Sequence, residues 1–126
     1  MSEKKETLKT FQDLKAWQDG HQLVLSVYQL TKILPTDERF GLISQMRRAG
    51  VSITSNITEG FGRRTYKDKA RFYITAQGSV SELQNQLIIA RDLAFISNEV
   101  FQKTWSESLQ VHRLLTGLIR ATQARS

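Results

Sequence analysis

Glu38 to Arg64 reads ERFGLISQMRRAGVSITSNITEGFGRR, and this stretch decides the fold. Ile43, Met46, Ile53 and Ile57 fall on one helical stripe, at spacings built from threes and fours, with Gly50 and Gly60 on the same stripe. Between Phe40 and Gly62 the only charged residues are Arg47, Arg48 and Glu59. The other flank is made of Ser44, Gln45, Ser52, Thr54, Ser55, Asn56 and Thr58. A solvated helix flank normally carries many lysines and glutamates, so this one is expected to be covered on more than one side.

Working outward, Pro35 ends a preceding helix expected from Phe11 to Leu34, because the residue before a proline leaves the α region. Leu14, Trp17, His21, Val24 and Tyr28 form its expected apolar stripe, with Gly20 inside it. Thr36 or Asp37 can cap the second helix. That helix closes near Gly60-Phe61-Gly62, where glycine accommodates a left-handed cap. Thr65 and Asp68 approximate a capping box for a third helix. There Ala76, Val80, Leu83, Leu87, Ala90 and Ala94 alternate four and three, the seam of a bundle. Asn98 is the expected cap of a fourth helix, carrying Phe101, Trp105, Leu109, Val111, His112, Leu115, Leu118 and Ile119. The reading is all-α: an antiparallel up-and-down four-helix bundle in one domain, 11–126, after a flexible arm, 1–10.

The chain has 126 residues, no cysteine, and no apolar run of the roughly 18 residues that spans a membrane. A cytoplasmic location is expected. Net charge is +6. Arg39, Arg47, Arg48, Arg63, Arg64, Lys67, Lys69 and Arg71 face only Glu59 and Asp68 within that segment, so eight cations against two carboxylates account for the whole excess. Such clustering favours a polyanion. Arg47, Arg48, Arg63, Arg64, Lys67, Lys69 and Arg71 are the candidate phosphate contacts, and Tyr66 is the candidate ring for stacking on unpaired bases. Phe72 and Tyr73 interleave with the same charges.

No nucleophile, base and orienting acid can be assembled, so no catalysis, cofactor or metal is expected. His21 and His112 lie on apolar stripes without neighbouring carboxylates and read as packed side chains. Gly60-Phe61-Gly62 lacks the strand and third glycine of a dinucleotide fingerprint. Ser52, Ser55, Asn56 and Glu59 are read as interface or register residues: a polar group beside an apolar stripe needs a partner, and that need fixes how helices slide on each other.

The runs QMRRAGVSITSNITEGFGRR and KDKARFYITAQGSVSELQNQL also resemble the proteins encoded in 23S rRNA intervening sequences, with similarity from about Phe11 to Ile96. Gly50 stands where that family usually has alanine and Thr54 where it has proline, so the kink a proline imposes is not expected. The resemblance implies a four-helix bundle that assembles as a homopentamer. It also implies likeness to the accessory variability proteins of diversity-generating retroelements, basic pentamers that bind a reverse transcriptase. Two functions stay open. One is a ring-like homo-oligomer binding nucleic acid, RNA first, or a ribonucleoprotein through the basic end between the second and third helices. The other is a structural or docking oligomer whose basic rim meets an acidic or nucleic-acid-handling protein.

Overall fold

A computed structural model describes residues 8–126. Among them are four long helices and no strand: α1 (Lys15–Thr31), α2 (Ser44–Phe61), α3 (Tyr66–Asp92) and α4 (Asn98–Gln123). In cyclic order each packs on the next, α1 on α2, α2 on α3, α3 on α4 and α4 on α1. One core joins them, with Leu23, Val27, Met46, Ile53, Ile57, Val80, Leu83, Leu87, Val111 and Leu115 fully buried. None of these helices is long and apolar enough to cross a membrane.

The first helix starts later than expected. Phe11–Asp13 is a short 3-10 turn, and Leu14 is extended before α1 begins. Thr10 Oγ1 accepts from Gln12 N at 3.1 Å, and the Asp13 carboxylate accepts from the N–H groups of Lys9 and Thr10 at 2.9 and 3.0 Å. Those bonds, that of Thr10 foremost, hold the Asp13 carboxyl below its usual range. Lys9 and Thr10, assigned to the arm from sequence, are thus tied to the first turn, while residues 1–7 of that arm lie outside the described residues.

Leu14 is buried as expected, but the buried stripe within α1 is one step round from the expected one. Ala16, Gly20, Leu23, Val27 and Leu30 face the core. Trp17 and His21 are half-buried and stack on each other, with centroids 4.9 Å apart, and Tyr28 is exposed. On α4, Phe101, Val111, Leu115 and Ile119 are buried as expected, but Leu109 is exposed and the remaining inward positions are Thr104, Ser108 and Thr122.

The second helix begins through a wider turn than a simple cap. Thr36–Glu38 is a 3-10 turn and Arg39–Ile43 a π turn interrupted at Gly41. Glu38, not Thr36 or Asp37, caps it by accepting from Leu42 N at 3.0 Å. A Cβ on Gly41 would come within 2.9 Å of that carboxylate oxygen. At the other end Gly62 has φ −83°, so the expected left-handed cap is not used there. Gly60 serves a different need: a Cβ at that position would lie 2.7 Å from the Tyr73 ring. Thr65 caps α3 as the spacing predicts, accepting from Asp68 N at 3.0 Å.

The flank of α2 is covered on two sides by its own chain. A Cβ on Gly20 of α1 would lie 3.3 Å from Thr54 Cγ2. On the α3 side Ser52 Oγ meets Ser79 Oγ at 2.8 Å. Asn56 Nδ2 donates to the Ser52 carbonyl at 2.8 Å and to Ser52 Oγ at 3.1 Å. Asn56 is therefore satisfied within α2 and reaches α3 through Ser52. Ser55 is exposed, and exposed Glu59 pairs with Arg63.

The third and fourth helices are joined differently from expectation. Ala94 is not on the seam but exposed, with φ 62°. Its N–H donates to Arg91 O and that of Phe95 to Ala90 O, both at 2.9 Å, the double bond pattern of a Schellman cap. Ser97 rather than Asn98 caps α4, accepting from Val100 N at 3.1 Å.

Two outcomes follow from this packing. Left-handed backbone strains any Cβ, so Ala94→Gly should stabilise by about 0.5–1 kcal/mol, read as a higher urea midpoint at unchanged slope. An unchanged or lower midpoint would contradict the strained cap. Asn56→Leu should keep helicity by circular dichroism while doubling or broadening amide resonances along α2 and α3, because the polar register mark is gone. One sharp set of resonances would remove the register role.

Candidate nucleic-acid interface

The cations that were contiguous in sequence separate into two groups. Arg47 lies fourteen residues before Phe61, where α2 ends, about 21 Å at 1.5 Å per residue. Its Nε donates to Thr31 Oγ1 at 2.9 Å, and its guanidinium sits over the Tyr28 ring, 4.5 Å from the centroid. Arg48, about 100° further round the helix, bonds Glu82 of α3 and Gln45. The pair therefore clamps α2 to α1 on one side and to α3 on the other. Neither belongs to the cluster at the α2–α3 turn.

At that turn five cations stand close in sequence but differ in how much they are already engaged. Arg63 donates to Glu59 at 2.7 Å and covers one side of Phe72, at 4.5 Å. Arg71 also lies over the Phe72 ring, 5.0 Å away, and pairs with Asp68 at 3.3 Å. Lys69 Nζ donates to the Phe61 carbonyl at 2.6 Å, satisfying one of the orphan acceptors at the end of α2. Arg64 and Lys67 are exposed and have no hydrogen bond or ion pair among the described residues. Phosphate oxygens would meet these two without breaking any existing pair.

The aromatic residues sort equally clearly. Tyr73 is 2% exposed, packed against Gly60, and burial pushes its phenol above the usual tyrosine range. Phe72 is half-buried between two guanidinium groups. Tyr66 alone of the three presents substantial ring surface, at 38% exposure. Arg125 lies over it, 5.1 Å from the centroid. Sequence reading missed this arginine because it follows α4, far from the basic segment. The signal was nonetheless there: four helices joined by short turns return the end of the fourth beside the start of the third.

The site thus holds Arg63, Arg64, Lys67, Lys69, Arg71 and Arg125 around Tyr66, opposed by Glu59 and Asp68. Such a surface can position phosphates and offer a ring to a base. His21 and His112 are elsewhere: His21 stacks on Trp17, and the His112 carbonyl accepts from Gln77 Nε2 at 3.2 Å.

A model of the 23S rRNA-intervening sequence protein family matches residues 12–117. The fold is similar to a crystal structure of a protein of unknown function, of the S23 ribosomal protein family, from Bacteroides thetaiotaomicron. The TM-score is 0.78 at 21% identity, covering 83% of this chain and 95% of that one. No curated protein matches. With its family pattern spread over all four helices, the chain belongs to the 23S rRNA-intervening sequence protein family.

Proposed function

We propose that this protein is a non-enzymatic, self-associating antiparallel bundle of the cytoplasm that binds nucleic acid, RNA first, through the basic end around Tyr66. The observation that carries this reading is the pair Arg64 and Lys67, exposed and unengaged among the described residues, beside an exposed tyrosine. The family's description by 23S rRNA intervening sequences favours RNA among polyanions. The antiparallel order is supported by how the partners run. Gly20 approaches Thr54 while Thr31 meets Arg47. Ser52 meets Ser79 while Arg48 meets Glu82. Gln77 meets Thr116 while Gln84 meets Ser108. In each of these helix pairs one number rises as the other falls.

A second reading, a docking oligomer, draws on a different observation. From Gly20 to Thr31, α1 has no charged residue, and Leu25 and Tyr28 on it are exposed. On α3 the outward Gly78, Ser81, Asn85 and Ile89 are likewise uncharged, and a Cβ on Gly78 would meet nothing within 4 Å. Both α1 and α3 pack on α2 and α4, so these two faces point in opposite directions. Two opposed faces, that of α3 uncharged and that of α1 bordered by Arg47 and Lys103, suit a head-to-tail ring.

The two readings part in solution. Arg64→Ala with Lys67→Ala should flatten the salt dependence of RNA binding in an anisotropy titration by about 1.4 log units per log unit of salt. Each lost single-strand phosphate contact removes about 0.7. Arg47→Ala should leave that slope alone. If the wild type holds no nucleic acid at low ionic strength, docking replaces binding. Separately, Ile89→Glu should lower the mass seen by light scattering, because an unpaired charge opposes burial between subunits. An unchanged mass at unchanged stability would move the interface away from α3.

A further inference from the structure

Beside Lys67 the start of α3 and the end of α4 enclose an open groove of about 570 Å3. Ala70 and Ile74 supply its apolar surface, and Ile74 is 48% exposed. Lys67 and Arg71 stand at the α3 side, the latter already paired with Asp68, and Gln123 contributes an amide from α4. A second groove, of about 240 Å3, lies at the same end and includes Tyr66, Arg125 and Lys69. Each groove combines a patch without charge with cations at its margin.

We propose that the larger groove takes one unpaired base of a single-stranded nucleic acid, with the flanking phosphates on Lys67 and Arg64. This deepens, and rests on, the nucleic-acid reading given above. A base has two apolar faces, a polar edge and a phosphate on either side. The groove offers the matching set: an aliphatic surface, an amide, and at its lip the Lys67 ammonium, which has no partner among the described residues, while its one carboxylate, Asp68, is paired with Arg71. Its size falls within the range of small-ligand clefts, about 300–1,000 Å3. A duplex keeps its bases stacked inside, so it can meet the cations but cannot fill the groove. Charge alone would bind strands and duplexes by their phosphates; the groove adds a term that only unstacked bases supply. An acidic amphipathic peptide is the competing occupant, and the neighbouring Tyr66–Arg125 groove favours the strand, because successive bases need successive stacking surfaces.

The test compares a short oligoadenylate with an abasic strand of the same length, which carries the same phosphates and no bases. Binding of the oligoadenylate should be about fivefold tighter or more at one ionic strength, the low end of what a stacked base contributes. Ile74→Ser, at an exposed position and without change of charge, should cut that margin to what Tyr66 supplies, while leaving the salt slope and the melting temperature in place. Equal binding of both strands would overturn the groove and leave the phosphate reading standing. Failure of both strands to bind would overturn the two together. A margin undiminished in Ile74→Ser would place the base elsewhere and overturn this assignment. Binding of an acidic amphipathic peptide that Ile74→Ser abolishes, with no strand bound, would hand the groove to a protein.

Discussion

A ring carbon of Tyr73 occupies space 2.7 Å from where residue 60 would carry a Cβ, and that contact limits everything around it. With glycine there, the end of α2 approaches α3 closely enough for Ser52 and Ser79 to share a hydrogen bond further along. On the opposite side Gly20 lets α1 come up to Thr54. Small residues on both flanks of α2 thus have one cause. The helix is held between two others at short range, and larger polar side chains would clash or be buried without partners. Close approach also keeps the α2–α3 connection short, and so brings Arg63, Arg64, Lys67, Lys69 and Arg71 into one small region.

Much of this was legible before any coordinates. The buried stripe of α2, the Thr65 cap and the inward run from Ala76 to Ala90 follow hydrophobic spacing directly. Three failures each have a physical origin. In α1 the large rings of Trp17, His21 and Tyr28 attracted the assignment of the core, whereas close packing there needs Ala16 and Gly20. In α4 the inward Thr104, Ser108 and Thr122 look polar in sequence. Their hydroxyls donate to carbonyls three or four residues back at 2.7–3.0 Å, leaving only methyl or methylene groups to pack. Such residues are invisible to a pattern that scores side chains as simply polar. At Ala94 nothing in the side chain announces a left-handed residue, since glycine is the usual occupant.

The interface was legible as a segment and not as a surface. Summing charge from Arg39 to Arg71 treats every arginine alike, but tertiary contacts do not. Arg47 and Arg48 are engaged by α1 and α3, Lys69 by the end of α2, and Arg63 and Arg71 by carboxylates and the Phe72 ring. Arg125, absent from the segment, joins the site because the helices fold back on one another.

That sorting decides which quantity governs polyanion binding. A guanidinium already paired with a carboxylate must give up that pair before it neutralises a phosphate, so it adds little net attraction. The relevant number is therefore not the formal +6 but the few cations at one place that have no carboxylate partner or hydrogen bond among the described residues. Three such groups on one subunit, Arg64, Lys67 and Arg125, are a weak site. Were they repeated on linked subunits along a single polymer, as proposed, the same three would become strong, because after the first contact every later one is intramolecular. On the proposed reading, modest charge at a bundle end and repetition of that end would be parts of one device: discrimination would come from how many ends a polyanion can reach at once, with any preference for unpaired bases added locally, beside Lys67.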